Sequence, residues 1–178
     1  MSRPQAPRPA KLLVGLLFRS PDVHLQALCA LQETFGPLDF LTQPEPFTFT
    51  TYYDREMGPG LLRQTIAFLN LVDPATLADL KVTTNALEHR LTIHGKRTIN
   101  IDPGLLCEER LVLATGKNYI HRIYLRDGIY ADLTLIFQKG SYQALPWTYP
   151  DYQTPRLLHF LGTLRNKLRY QRLGRLAV

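Results

Sequence analysis

Unbroken apolar runs and stretches of helical period divide the chain between them. Residues 11–18 (KLLVGLLF) form a continuous apolar run behind a proline-rich lead, the pattern of a buried strand. From Pro21 to Phe35 apolar residues recur at helical steps, which predicts a helix with Leu25, Leu28, Leu31 and Phe35 on its buried face, ended by Gly36-Pro37. Residues 38–51 are broken by Pro44 and Pro46, and residues 47–50 alternate like an edge strand. Residues 52–60 read as a loop, and residues 61–72 as a strand. Asp73-Pro74 opens a second helix, Asp as cap and Pro at its first position. That helix is expected to run to Leu91 with Leu77, Leu80, Thr84, Leu87 and Leu91 as its buried stripe. Residues 97–102 are extended, and Pro103-Gly104 signals a turn. Residues 110–115 form a strand, and Asp127-Gly128 a hairpin whose second strand runs to about Gln138. Lys139-Gly140 turns the chain into residues 142–145, and Pro155 opens a last helix facing the core with Leu157, Leu158, Leu161, Leu164 and Leu168.

The order strand, helix, strand, strand, helix, strand predicts an α+β fold with a ferredoxin-like βαββαβ core. Its sheet is expected to be mostly antiparallel, extended by the hairpin and the terminal helix. At 178 residues the chain fits one domain, residues 11–178, with a core large enough to need neither disulfides nor metal. Residues 1–10 hold three prolines and no apolar signal core, and read as a flexible lead. No apolar run approaches a membrane span. Cys29 and Cys107 have no paired spacing and imply reduced thiols, hence a cytoplasmic protein.

Charge changes the picture at one end only. Residues 153–178 carry six basic residues and no acid, which accounts for the whole net charge of +6; the rest balances 15 Lys+Arg against 15 Asp+Glu. The basic helix at residues 156–175 is therefore a candidate for RNA phosphates, set against a solvated face whose cations suit the helix C-terminus.

The hairpin makes the sharpest geometric prediction. With Asp127-Gly128 as a two-residue turn, Arg126 pairs with Ile129, Leu125 with Tyr130 and Ile123 with Asp132, placing His121 opposite Thr134. His121, Tyr130, Asp132 and Thr134 then share a face, with Arg122 on the other. Asp132 could there orient the imidazole of His121, which makes these two the candidate catalytic residues. Lys81, Asn85 and Glu88 follow one another at four- and three-residue steps and can form one wall of a pocket.

The segments TYYDREMG (51–58), KVTTNALE (81–88), KRTINIDPGLL (96–106), LVLATGKNYIHRIYLRDGIYADLTL (111–135) and LPWTYPDYQT (145–154) resemble a bacterial family catalogued as domain of unknown function 4416. The resemblance runs from Lys11 to the terminal helix. Gly116 stands where that family would have Thr or Ser, and Asp132 where Glu is more usual. The family brings no established activity, although some members carry a GTP-binding label.

A P-loop is absent: the glycine-lysine turns Gly95-Lys96 and Gly116-Lys117 lack both the upstream glycine and the following hydroxyl. Paired His-x-Thr/Ser motifs are missing, and none of the three serines lies in a nucleophile elbow. His24, His89, His94 and His159 are dispersed, so no metal site is expected. What remains is cationic and aromatic. Tyr52, Tyr53, Arg63, Lys81, Arg97, Lys117, Arg122, Tyr130 and Tyr149, with Glu56, Asn85, Glu88, Asn100, Asp102, Thr134 and Asp151, suit a small anionic, nucleotide-like ligand. No cofactor is named by the sequence. Two other readings are an RNA module using the terminal helix and a protein-interaction module anchored on Trp147. The small-ligand reading requires residues 52–58, 100–104 and 148–152 to converge.

Overall fold

The computed structural model describes residues 1–173. Among these residues nine strands form one sheet, and every paired strand is antiparallel. In chain order the elements are β1 (Ala10–Phe18), α1 (Pro21–Phe35), β2 (Leu38–Leu41), β3 (Glu45–Pro46), the short α2 (Asp54–Met57) and β4 (Leu62–Val72). A 3₁₀ turn (Pro74–Thr76) leads into α3 (Leu77–Arg90). Then come β5 (Ile99–Leu106), β6 (Arg110–Thr115), β7 (Arg122–Arg126), β8 (Ile129–Gln138), β9 (Ser141–Ala144) and, past a 3₁₀ turn at Pro150–Tyr152, α4 (Pro155–Leu173). The strand order is β2-β4-β1-β5-β6-β8-β7, with β3 on β4 and β9 on β8. The sheet is thus larger than the four-stranded core expected from the sequence.

β1 is apolar apart from Lys11 because both of its faces are covered. Leu12, Val14, Leu16 and Phe18 pack with residues of α1 and α3, while Leu13 on the opposite face packs with Leu157, Leu161 and Leu164 of α4. Lys11 shares the face of Leu13 and is fully buried. Its ammonium donates to Asp39 Oδ2 (2.7 Å), the Phe68 carbonyl (2.8 Å) and Gln171 Oε1 (3.0 Å), so all three N–H groups are satisfied. No helix among the described residues is long and apolar enough to cross a membrane.

Several local expectations are corrected. On α1 the buried residues are Val23, Ala27 and Leu31, and Leu25 points to solvent. Residues 47–50 are loop; the strand there is Glu45–Pro46 alone, paired to Leu62 and Arg63. Pro103-Gly104 is no turn but the middle of β5, opposite Val14 and Leu13. The hairpin turn forms as expected, with Asp127 and Gly128 both at positive φ. Its register, however, is shifted by an irregularity between Tyr124 and Arg126: Arg122 faces Asp132, Ile123 faces Ala131 and Tyr124 faces Tyr130. An extra residue in one strand moves every side chain beyond it to the other face. Arg122, not Ile123, therefore stands opposite Asp132. Of the basic terminal helix, Arg175 lies outside the described residues.

Candidate functional site

A break in the sheet makes room for the site. β1 pairs with the full length of β5, but β6 pairs only with Gly104, Leu105 and Leu106. Towards Ile99, β5 and β6 part. Two α3 side chains take the place of the missing strand: Ile101 N–H donates to Glu88 Oε1 (2.7 Å), and Lys81 Nζ donates to the Ile101 carbonyl (3.0 Å). Alternate residues of a strand turn their backbone groups to the same neighbour, so Pro103 presents its edge to this side as well. Lacking an N–H, it leaves no donor unsatisfied where the ladder stops. Gly104 then brings the strands back together, since a Cβ there would stand 2.6 Å from Leu113 Cδ2 and 3.1 Å from the Val112 carbonyl oxygen.

The cavity opened in this way has a volume of about 640 Å³. Paired residues of neighbouring strands share a face, so Arg63, Leu17 and Asn100 form a row across its floor, with Asp102 next along β5. Lys81, Asn85 and Glu88 line the α3 side, and Thr115, Gly116, Lys117, Arg122 and Asp132 line the β6–β8 side. The roof comes from two loops, one carrying Phe47, Phe49, Thr50, Tyr52 and Tyr53, the other Tyr149, Pro150, Asp151 and Tyr152. The three segments needed for the small-ligand reading do converge here, through Tyr52 and Tyr53, Asn100 and Asp102, and Tyr149 to Tyr152.

Most of the lining charge is already paired. Lys81 Nζ lies 3.0 Å from Asp102 Oδ1 and 3.9 Å from Glu88 Oε1. Arg63 reaches Asp151 at 2.6 Å and stacks over the Tyr152 ring at 4.5 Å. Arg97 pairs with Glu56 at 2.6 Å, donates to Asn100 Oδ1 at 2.8 Å and lies over Tyr53. Arg122 donates to Asp132 Oδ2 (2.8 Å), the Lys117 carbonyl and Tyr149 Oη. Lys117 differs: its ammonium donates to Tyr52 Oη at 2.9 Å and meets no carboxylate among the described residues.

Burial and pairing pull the carboxylates apart. Desolvation raises the pKa of Glu88 and of Asp151 above the usual carboxylate range, against the pull of Lys81 and Arg63 respectively. Asp102 goes the other way. Its depth in the protein opposes ionisation, although its side chain is a third exposed to the cavity. The Lys81 ammonium, hydrogen bonds from Lys81 and Asn100, and Arg63 outweigh that cost and hold its pKa below the ordinary value. Desolvation also raises the phenol of Tyr53, and pushes that of Tyr152 up to about 12.

A family model described as a domain of unknown function (DUF4416) matches residues 8–168. The chain belongs to that family. No curated protein and no solved structure matches it.

In this family member, four residues expected at the site do not line the cavity: Glu56, His121, Tyr130 and Thr134. Glu56 sits outside, bonded to Arg97. Thr134 is buried beside Asp132 and donates to its carbonyl. His121 is stacked on Trp147 with ring centroids 4.8 Å apart, and its Nε2 stands 3.3 Å from Asp132 Oδ2, farther than Arg122. Trp147 donates to the Leu133 carbonyl, so its indole is packed along the sheet. Among the described residues no cluster of His, Cys, Asp and Glu could hold a metal ion. Residues not anticipated include Leu17, Phe47 and Phe49. The alternation Phe-Thr-Phe-Thr was the signal for two of them, but it fits a strand equally well.

Proposed function

We propose that this chain binds a small anion of nucleotide-like size in the cavity between β5 and β6. One observation carries the reading. Of the five cations that line the cavity, four are held by carboxylates (Arg63 by Asp151, Lys81 by Asp102 and Glu88, Arg97 by Glu56 and Glu88, Arg122 by Asp132), and Lys117 at the mouth meets none among the described residues. A bound anion supplies that ammonium with a counter-charge. The volume lies within the range of small-molecule sites, and the tyrosine and phenylalanine rings of the roof suit a ring-bearing ligand. The strand order β2-β4-β1-β5, with α1 and α3 on one face, also supports reading that part as a ferredoxin-like unit.

The arginines of α4 favour the cavity over an RNA surface, because they serve the molecule itself. Arg156 pairs with Glu45, Arg169 and Arg172 with Glu108, and Arg165 donates to the Glu108 carbonyl (2.7 Å) while lying over the Phe137 ring. The test is thermal unfolding against nucleotides, sugar phosphates, small carboxylates and short RNA. An anion at 100 times its dissociation constant stabilises by about 2.7 kcal/mol, a shift of several degrees. The expected result is a small-anion shift lost in Lys117→Ala and reduced in Arg97→Ala. A shift by RNA alone, weakening steeply with salt, would overturn the reading.

A further inference from the structure

Tyr52 and Lys117 come from loops 65 positions apart and meet at the cavity mouth. The Lys117 ammonium donates to Tyr52 Oη at 2.9 Å and lies 4.5 Å from the centroid of the same ring. Such a pair does nothing for the core, since both side chains are exposed, and neither loop needs it for its backbone hydrogen bonds. We propose that Tyr52, set by Lys117, is the proton donor and acceptor of the cavity, acting on a hydroxyl or carbonyl oxygen of the small anion bound there. The inference rests on the anion reading of the same site.

The step balances without any further reactant. When Tyr52 acts as an acid, its O–H bond breaks as a new bond forms between that proton and a ligand oxygen. The electron pair stays on Oη, where the Lys117 ammonium holds the phenolate. The reverse transfer returns the proton and restores the phenol. Lys117 positions and charges the phenol; Tyr52 is the group that meets the ligand.

The surroundings bear on which tyrosine can do this. The hydrogen bond and charge of Lys117 lower the pKa of Tyr52, Arg97 adds to the effect, and Glu56 opposes it. Arg55 and Lys96 flank Tyr52 outside the cavity. Tyr53, whose ring centre is 5.1 Å away, is half-buried and pushed the opposite way. Adjacent tyrosines thereby differ: one is exposed and bonded to a cation, the other half-buried and bonded to none.

Ultraviolet titration of phenolate absorbance in the ligand-free protein decides the matter. One of the nine tyrosines is expected to ionise ahead of the rest. That first phase, one tyrosine in amplitude, should vanish in Tyr52→Phe and move up into the ordinary phase in Lys117→Met. Its absence from the parent, its survival in Tyr52→Phe, or an unmoved phase in Lys117→Met would each overturn the proposal. Repeating the titration with sulfate, whose charge is constant over the range, should shift the first phase to higher pH, because an anion beside Oη disfavours phenolate. If sulfate raises the unfolding temperature and leaves that phase in place, the proton role fails and the anion site stands. If sulfate has no effect on either, the anion reading fails, and the ligand-free titration still decides the pair.

Discussion

Lys81 is the side chain on which most of the site depends. Its three donors face the Ile101 carbonyl, Asp102 and, at longer range, Glu88. Replacing it with methionine keeps the stem and removes the charge, leaving Asp102 and Glu88 without the cation that they share. Lys81→Met is expected to cost about 2–3 kcal/mol, less than the roughly 3–5 kcal/mol of a fully buried broken pair, because the Asp102 side chain is a third exposed. Urea unfolding checks this, and Lys81→Met/Asp102→Asn should recover part of the loss. At Gly104 the constraint is steric. A methyl group there meets Leu113 and the Val112 carbonyl oxygen, so Gly104→Ala is expected to cost about 1–3 kcal/mol by overpacking where β5 and β6 rejoin. A neutral result would mean that the two strands yield easily, and that the gap is not held open by close contact at its end.

Among the elements, α4 shows why a basic segment need not be a binding surface. Arg165 covers the Phe137 ring at 3.7 Å and caps the Glu108 carbonyl. Arg165→Ala is expected to lower stability by about 1–2 kcal/mol, from a lost hydrogen bond and a lost cation–π contact, with no change in small-anion affinity. A stable variant with weakened RNA binding would reverse that assignment. The β7–β8 hairpin teaches a related lesson. Its turn was legible from Asp127-Gly128, but the irregularity after Tyr124 was not, and it decides that Arg122 and not Ile123 faces Asp132. Turn chemistry is local; a bulge depends on how β7 fits along β8 as the sheet twists.

For the molecule as a whole, the cavity carboxylates set opposing responses to acid. Glu88 and Asp151 have raised pKa values, so the folded protein binds these protons more readily than the unfolded chain. Their contribution to stability is complete below the ordinary carboxylate pKa and is lost as pH rises through their folded values. Asp102 is lowered, so its contribution is present above the ordinary value and is lost as pH falls through the folded one. Unfolding measured over a pH series should show Glu88→Gln losing part of the first dependence, Asp151 keeping the rest, and Asp102→Asn losing the second. Sulfate affinity should rise as pH falls through the titration of Glu88 and Asp151, because protonation leaves the cavity more positive; Glu88→Gln should flatten that rise. Profiles that stay parallel to the parent would show that these groups titrate elsewhere.

By itself the sequence determined the mixed α+β character, the three long helices and most of the long strands, the family, and the residue types of the cavity wall. Those properties follow from local periodicity, cap and turn chemistry, and a short-range pattern such as Lys81, Asn85 and Glu88 on successive helical turns. The tertiary structure alone decided that β5 and β6 separate, that α3 bonds the Ile101 peptide where no strand pairs with it, and that Phe47 and Phe49 roof a cavity instead of joining the sheet. It also placed Arg122 instead of His121 beside the cavity. Each of these turns on pairing between segments distant in the chain. In Pro103-Gly104 the dipeptide suits a turn and a ladder's end equally well, and only the neighbouring strand distinguishes them.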